Sequence, residues 1–328
     1  MAELRWNPLL GTWTMVSANR QKRPDLPKDW CAFCPGPGKK VPPGYDVFIY
    51  DNDFPIMRPD PDTPDEIGGE LYPAMENYGK CDVILYSPDH NAHLSSLTLP
   101  HLRKLVDLWC GRTGTLVKDP KIQYVFIFEN RGREVGATMQ HPHGQLYAYP
   151  FVPQKIDVEL RNCRAHHERT GNCLLCGMNA EELRFGKRVI FENAHFIAYL
   201  PAFTDYPYGV FLTAKRHYGL FTDMTGDERD SLAASLKDVT GMFDSLFDKE
   251  FPYMMCVHQS PCNTADYGNY DKFYHFHIEF YPPLRSADRV KFYASSELGA
   301  WAAANPLRVE DTALQLLDAL AKFRGKSV

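Results

Sequence analysis

Apolar residues recur along the chain with two periods, which predict helices and short strands. From Gly226 to Phe247 they recur every three or four positions, as expected of an amphipathic helix. Thr225 is the expected N-cap of this helix, and Glu228 stands at the capping-box position. Two further helical runs extend from Leu99 to Leu116 and roughly from Val309 to Phe323.

The segments between the helical runs are short and rich in Val, Ile, Phe and Tyr, which is typical of strands. Proline-rich segments at 35–43 and 55–64 lie between strands and are predicted to be surface loops. The charged residues 151–172 are expected to connect two halves of the chain. Together these elements predict an α+β fold.

The order of elements occurs twice, which predicts a duplicated domain rather than a solenoid. Each half contains a C-x-x-C pair, a strand, a strand that ends in histidine, a long helix, another strand and an H-x-H pair. The matched segments are Cys31–Cys34 with Cys173–Cys176, Val47–Phe54 with Val189–Phe196, Asp82–His90 with Gly209–His217, and His141–His143 with His275–His277. We therefore predict two domains, at residues 1–155 and 156–328.

Composition and charge narrow the function classes. The net charge of -5 gives no broad basic surface, which argues against nucleic-acid binding. No apolar run is long enough to cross a bilayer, and none at the N-terminus resembles a signal peptide. Four of the nine cysteines form C-x-x-C pairs, which favours metal binding over a secreted disulfide framework. We therefore expect a cytoplasmic protein without a membrane or nucleic-acid partner.

The first H-x-H pair is the strongest candidate for chemistry. His141 and His143 follow an apolar strand and a Gly-rich loop. On an extended strand, residues two positions apart point to the same face. A metal can then hold one imidazole while the other attacks a substrate, because imidazole is largely neutral and nucleophilic near pH 7.

Two sets of cysteines and histidines predict structural zinc. Each set has four ligands, and a closed set of four is typical of structural rather than catalytic zinc. The sets are Cys31, Cys34, His90 and His141, and Cys173, Cys176, His217 and His275. A site of one carboxylate and three imidazoles would suit zinc or iron and would compete for His275. Its ligands would be Glu159, His258, His275 and His277, and the sequence leaves both alternatives open.

Several motifs spread over nearly the whole chain resemble those of one enzyme family. They are Arg5–Trp13, Val16–Pro24, Cys31–Gly36, Ser87–His90, His141–Gln145 and His275–Leu284. With these motifs the chain resembles the galactose-1-phosphate uridylyltransferase family, a duplicated branch of the histidine-triad superfamily. The resemblance implies two tandem histidine-triad-like domains, with antiparallel sheets flanked by helices, and a homodimer.

The resemblance implies that UMP is exchanged between UDP-glucose and galactose 1-phosphate. His143 would attack the α-phosphorus of UDP-glucose and form a uridylyl-histidine, and galactose 1-phosphate would then attack the same phosphorus. A covalent intermediate of this kind predicts ping-pong kinetics. By the same resemblance His141 is a zinc ligand, and Gln145 hydrogen-bonds the phosphate that is transferred.

The resemblance also implies which residues bind the phosphates, the nucleoside and the sugar phosphate. The phosphates would be bound by Arg20, Arg23, Asn130 and Thr138, and the nucleoside by Phe33, Asn52, Asp53 and Val83. The sugar phosphate would be bound by Lys291, Phe292 and Glu297. Guanidinium groups suit a diphosphate. Ala303 is nearest to the position where relatives carry a glutamine that contacts hexose hydroxyls, so the acceptor sugar stays open.

Three other functions compete with uridylyl transfer. An ADP-sugar phosphorylase or adenylyltransferase is the main alternative, because such relatives carry two C-x-x-C pairs, and nucleobase preference would separate the two. A hydrolase is disfavoured because single-domain histidine-triad proteins typically carry histidine in place of Gln145. A binding module without activity is disfavoured by the intact His143–Gln145, although Ile278 and Glu279 after His277 fit an inactive second half.

Overall fold

The computed structural model describes residues 2–18 and 30–326, which form three sheets and five α-helices. The strands are β1 (Ala2–Asn7), β2 (Thr12–Ser17), β3 (Phe48–Asp51), β4 (Ala74–Glu76), β5 (Lys80–Leu85), β6 (Tyr124–Arg131), β7 (His143–Tyr149), β8 (Val189–Glu192), β9 (Phe196–Tyr199), β10 (Val210–Ala214), β11 (Tyr253–His258), β12 (His277–Tyr281), β13 (Leu284–Ser286) and β14 (Arg289–Val290). The helices are α1 (Leu99–Leu116), α2 (Gln154–Thr170), α3 (Leu174–Phe185), α4 (Gly226–Leu246) and α5 (Val309–Lys326).

A single antiparallel sheet runs through both halves of the chain. Its strand order is β3-β5-β7-β6-β11-β12-β10-β9-β8. The two halves meet where β6 pairs with β11, so that Cys256 lies opposite Phe128. From this junction outward the two halves repeat the same order of strands, which confirms the duplicated α+β fold. The predicted boundary between residues 155 and 156 falls inside α2 and stays a prediction.

One match between the two halves is wrong. Val47–Phe54 does not correspond to Val189–Phe196, because the counterpart of β3 is β9. Tyr50 and Tyr199 occupy equivalent places in the register with β5 and β10. β8 is an additional edge strand outside β9. Both strands are apolar and are followed by an asparagine and a phenylalanine, Asn52 and Phe54 after β3 and Asn193 and Phe196 after β8, so sequence similarity selected the wrong strand.

Helices cover both faces of the sheet. The larger core lies on the face where α1 and α4 pack, and it includes Trp109 and Phe243 together with Leu146 of β7. The smaller core on the opposite face includes Tyr147 of β7 and Leu160 of α2. Because successive side chains of a strand point to opposite faces, β7 contributes to both cores.

The long helices confirm the sequence prediction closely. α1 has the predicted bounds, α4 ends one residue early, and α5 extends to Lys326. At the start of α4, the N–H of Glu228 donates to Thr225 Oγ1 (3.3 Å), and the N–H of Thr225 donates to Glu228 Oε2 (2.8 Å). This is the predicted capping box.

The connector predicted at 151–172 is mostly the helix α2. Ile156, Leu160 and Cys163 are buried and share one face of it, because they are spaced by four and three residues. The many charges on the other face obscured this stripe in the sequence. Among the described residues, no helix combines the length and the apolar character needed to cross a membrane.

Candidate active site

The first H-x-H pair lies at the start of β7, where two backbone carbonyls fix both imidazoles. The Nδ1–H of His143 donates to the backbone oxygen of His141 at 2.8 Å. The Nε2–H of His141 donates to the backbone oxygen of Ser87 at 2.8 Å. Each bond selects one tautomer. His143 therefore carries its lone pair on Nε2, and His141 carries its lone pair on Nδ1.

The first predicted metal set is gathered in one cluster, Cys31, Cys34, His90 and His141. Its ligand atoms lie within 4.8 Å of one another. Cys34 Sγ is 3.3 Å from His90 Nδ1 and 3.5 Å from His141 Nδ1. Zinc ligands at ordinary bond lengths in a tetrahedron lie about 3.5 Å apart, so the spacing fits zinc.

The electrostatics of this cluster also fit a metal ion. Burial lowers the pKa of His141 to about 4, which keeps its imidazole neutral and able to act as a ligand. Burial and the neighbouring Cys31 raise the pKa of Cys34 to about 11. Two thiolates this close repel each other unless a cation lies between them, so a divalent ion would restore the balance.

The second predicted set, Cys173, Cys176, His217 and His275, forms a cluster of the same kind. Cys176 Sγ is 3.3 Å from His275 Nδ1 and 3.7 Å from His217 Nδ1. The Nε2–H of His275 donates to the backbone oxygen of Ala214 at 2.9 Å. Cys173 lies at the N-terminus of α3, a helix that the sequence analysis did not predict. The four ligand atoms again have the spacing that zinc requires.

The alternative site around His275 must be corrected. His275 belongs to the cysteine cluster, while the other three predicted ligands gather with a different residue. This third cluster consists of Glu159, His258, His277 and Glu279. Lys155 Nζ lies 2.6 Å from Glu279 Oε2, which places a cation beside the carboxylates. The two predicted sets therefore do not compete, because the two imidazoles of this H-x-H pair serve different clusters.

Glu279 is the residue that sequence analysis missed in the third cluster. It lies two positions after His277 on β12, so the period of the strand places both on one face. His277 Nε2 is 3.4 Å from Glu279 Oε1, and His258 Nδ1 is 2.9 Å from Glu159 Oε2. The same periodicity argument that identified the H-x-H pair would have identified this glutamate.

An apolar wall stands beside His143. The Phe33 ring centroid lies 5.3 Å from that of His143 and 5.3 Å from that of Tyr50. Val83 lies opposite both Tyr50 and Gln145 in the sheet. The ring contact therefore places Phe33 beside His143, and the sheet register places Val83 opposite Gln145.

Asn52 and Asp53 follow β3 at the edge of this wall. Tyr50 donates its hydroxyl hydrogen bond to Asp53 Oδ2 at 2.6 Å, and Lys40 forms an ion pair with the same carboxylate. Asn52 Oδ1 accepts a hydrogen bond from the N–H of Phe54 at 2.9 Å. Asp53 is exposed and Asn52 is partly exposed, so a ligand could reach both side chains.

A cavity of about 350 Å³ opens beside His143. Asn130 lines it, and so do Ala137 and Met139, the two neighbours of Thr138. Glu129 also lines it, and burial raises the pKa of this carboxyl group to about 7. The loop at 132–142 therefore borders both the cavity and His143.

The remaining predicted substrate residues are not brought to this cavity. Lys291, Phe292 and Glu297 do not line it. Instead, Lys291 Nζ lies 3.8 Å from Glu297 Oε1 and 4.2 Å from the centroid of the Tyr293 ring. Arg20 and Arg23 lie outside the described residues. Ala303 borders a different cavity of about 400 Å³, which His277 also lines.

Gly144 has a steric role that sequence analysis did not identify. A Cβ atom at this position would lie 2.1 Å from the Tyr86 hydroxyl and 3.0 Å from the backbone oxygen of Phe128. Such a contact is far inside van der Waals distance. The glycine is therefore required because the large Tyr86 ring packs directly beneath the strand that carries His143.

Comparison with known proteins identifies the relatives of this chain. Residues 1–153 match the galactose-1-phosphate uridyl transferase N-terminal domain, and residues 159–322 match the C-terminal domain. The galactose-1-phosphate uridylyltransferase of Thermotoga maritima is 41% identical over 317 residues, covering 96% of this chain and 98% of the relative. The enzyme of that name from Haemophilus influenzae is 31% identical, covering 90% and 88%.

Solved structures agree with this result. A uridylyltransferase structure has a TM-score of 0.88 at 30% identity, covering 98% of this chain and 99% of the other. An ADP-glucose phosphorylase from Arabidopsis thaliana has a TM-score of 0.72 at 23% identity, covering 97% and 99%. At that lower identity the likeness shows a shared fold only.

The fold and the paired H-x-H strands define a duplicated protein of the histidine-triad superfamily. Within that superfamily, the matches over nearly the whole chain are specific. The chain belongs to the galactose-1-phosphate uridyl transferase family.

Proposed function

We propose that this protein transfers UMP from UDP-glucose to galactose 1-phosphate through a uridylyl-enzyme, with His143 as the nucleophile. The observation that carries the proposal is the hydrogen bond from His143 Nδ1 to the backbone oxygen of His141. This bond places the imidazole lone pair on Nε2, so this nitrogen can attack phosphorus without first losing a proton. The family membership and the adjacent cavity support the same assignment.

The chemistry balances in two displacements. In the first, His143 Nε2 forms a bond to the α-phosphorus of UDP-glucose, and the bond from that phosphorus to the bridging oxygen breaks. Glucose 1-phosphate leaves with the electron pair. In the second, a phosphate oxygen of galactose 1-phosphate attacks the same phosphorus, and the nitrogen–phosphorus bond breaks. Gln145, one step along the same strand face, is positioned to donate a hydrogen bond to the phosphoryl oxygens.

The phosphate and nucleoside subsites belong to the same proposal. Phe33 and Val83 would contact the base, and Asn52 and Asp53 would bind the ribose and uracil. Asn130 and Thr138 would cradle the phosphates together with Arg20 and Arg23. The support is the apolar wall beside His143 and the cavity bordered by residues on either side of Thr138.

Zinc in both cysteine clusters is the metal content that the ligand sets support best. Thiolates and imidazoles at tetrahedral spacing suit zinc. His141 would then anchor the strand that aims His143, without taking part in the reaction. The third cluster, with two carboxylates and two imidazoles, would suit zinc or iron.

Cys31→Ser should lose one equivalent of bound zinc and a large part of the stability, with activity falling mainly through loss of fold. Metal analysis and thermal unfolding of the purified variant measure both effects. Cys110→Ser is the matched control, because that buried thiol lies outside all three clusters. Unchanged zinc content in Cys31→Ser would contradict the assignment.

A homodimer completes the proposal, because the sugar-binding residues would come from a second copy. Lys291, Phe292 and Glu297 do not line the cavity of their own chain, while Phe292, Leu298 and Trp301 are exposed. Mixing His143→Ala protein with Glu297→Ala protein tests this. If the site is shared, mixed dimers regain one intact site and part of the activity. Activity that stays at the sum of the two variants after subunit exchange would contradict it.

The transfer itself is tested with UDP-glucose labelled at the α-phosphate and with ADP-glucose labelled in the same position. We expect stable labelling of the protein by UDP-glucose, and release of the label as UDP-galactose when galactose 1-phosphate is added. Labelling by ADP-glucose alone would assign the protein to adenylyl transfer instead. Labelling by neither would contradict a nucleotidyl-enzyme.

A further inference from the structure

We propose that Tyr147 is a positioning residue that orients the carboxamide of Gln145 for phosphoryl transfer. The Tyr147 hydroxyl donates a hydrogen bond to Gln145 Oε1 at 3.0 Å. Both residues lie on β7, two positions apart, and therefore on the same face as His143. The inference rests on the proposed function, since it assigns a role to a neighbour of Gln145, the residue proposed to donate a hydrogen bond to the phosphate.

Orientation matters because the two ends of a carboxamide have opposite polarity. The Nε2 end donates hydrogen bonds and stabilises a negatively charged phosphoryl oxygen, whereas the Oε1 end would repel it. A hydroxyl proton directed at Oε1 favours the rotamer that keeps Nε2 free to donate. The amide is then oriented before the substrate arrives, so that no reorganisation is needed during the reaction.

The tyrosine is itself held rigidly. Tyr147 is only 7% exposed, and its ring packs edge-on against Phe128 at 5.1 Å between centroids. Phe128 lies opposite Gln145 in the neighbouring strand. A hydroxyl on a ring that packing holds in one rotamer can fix a neighbouring amide more accurately than a flexible side chain could.

The second half of the chain provides an internal comparison. There, Glu279 and Tyr281 occupy the positions of Gln145 and Tyr147, by their register with β10 and β11. Lys155 donates to both the Glu279 carboxylate and the Tyr281 hydroxyl. A tyrosine hydroxyl thus acts as an acceptor beside the carboxylate and as a donor beside the amide. The donor arrangement occurs in the half that carries His143, the proposed nucleophile.

Tyr147→Phe tests the inference, because it removes the hydroxyl and keeps the packed ring. The rates of uridylyl-enzyme formation from UDP-glucose and of its discharge by galactose 1-phosphate would be measured in single turnovers. We expect both rates to fall about fivefold, the effect of one lost hydrogen bond, with little change in the KM values. Tyr149→Phe is the matched control, since it removes a hydroxyl two positions further along the same face.

The double variant separates positioning from a merely structural role. In a Gln145→Ala background there is no amide to orient, so Tyr147→Phe should change the two rates by less than about twofold. Wild-type rates in Tyr147→Phe would overturn the inference. So would an equal slowing in both backgrounds, which would indicate a general effect on the strand. A wild-type protein that forms no uridylyl-enzyme would instead overturn the proposed function, and this inference with it.

Discussion

The two halves of this chain carry equivalent H-x-H strands with different surroundings, at His143 on β7 and at His277 on β12. In both, Nδ1 donates to the backbone oxygen two residues earlier, at 2.8 Å and 2.9 Å. In both, the preceding histidine joins a cluster with two cysteines. The backbone and the metal ligands have therefore stayed alike, while the surroundings of the second imidazole differ.

The difference lies in access and charge. His143 is partly exposed and lines a cavity beside the neutral Gln145. His277 is 2% exposed and lies among two carboxylates, another histidine and Lys155. An incoming diphosphate would meet carboxylates there, which would repel it. We therefore expect the neighbours of an H-x-H strand, rather than the strand itself, to determine whether it can transfer a nucleotide.

The largest expected effect comes from removing each imidazole in turn. His143→Ala should reduce uridylyl transfer by at least about a thousandfold, because the nucleophile is lost. His277→Ala should leave more than about a tenth of the activity, since its role is structural. Steady-state kinetics on folded protein of verified metal content measures both.

Equal losses in the two histidine variants, with the fold and metal content intact, would contradict the division of roles. Retained turnover in His143→Ala would remove the nucleophile assignment altogether.

The second largest effect on uridylyl transfer should come from exchanging Gln145 and Glu279, which lie two positions after His143 and His277. Gln145→Glu gives the first half the residue of the second, and a carboxylate beside the phosphates should slow transfer by about a hundredfold. Glu279→Gln makes the opposite change and should leave transfer rates within about threefold. Single-turnover rates with UDP-glucose check both. Normal transfer by Gln145→Glu would show that this residue does not contact the reacting phosphate.

The layer beneath the two strands differs in size as well as in charge. Gly144 packs against Tyr86 in the first half, and Ile278 stands near Ala214 in the second, at equivalent places in the register. Gly144→Ala should lower activity about tenfold or more, because the added methyl displaces the strand that carries His143.

Tyr86→Phe removes the nearest atom, and it should restore part of the activity when combined with Gly144→Ala. The remaining ring carbon would still be 3.0 Å from the new Cβ, so recovery should be incomplete. Activity of Gly144→Ala equal to wild type would show that the strand can move without consequence.

The smallest expected effect is on stability, and it comes from the buried Glu129. The equivalent residue of the second half is the apolar Val257. Burial raises the pKa of Glu129 to about 7. The folded protein therefore binds an extra proton relative to the unfolded chain between the two pKa values. Its contribution to stability is complete below the ordinary carboxyl pKa and is lost as the pH rises through about 7.

Glu129→Gln should remove this pH dependence, because glutamine does not ionise. Relative to wild type, the Tm of the variant should rise by a few degrees between pH 5 and pH 8. Measurements near pH 5 serve as the internal control, since the wild-type carboxyl is then largely neutral. Parallel Tm profiles for the two proteins would contradict the raised pKa.

Sequence patterns predicted the parts of this fold that depend on local chemistry. The capping box at Thr225 and both cysteine clusters follow from residue type and spacing alone. The register of the sheet does not, because several apolar strands satisfy the same pattern, and so β8 was mistaken for β9. Helix α2 was missed because its buried stripe is narrow.

The same limit applies to the site. Spacing identified His141 and His143, and the same strand period could have added Glu279 to the third cluster. It could not show that His275 belongs to the cysteine cluster instead. Such a choice depends on which way each imidazole is turned, and backbone carbonyls decide that. In the proposed homodimer, Lys291 and Glu297 act on a substrate held by a second copy. Spacing within one sequence does not describe a contact between two copies.

Mapping the covalent adduct tests whether His143 is the nucleophile. The protein would be incubated with UDP-glucose without acceptor, digested under conditions that preserve phosphoramidates, and examined by peptide mass spectrometry. We expect one uridylyl group per chain, on His143, in the wild type and in His277→Ala. A uridylyl group on His277 or on any other residue would contradict it.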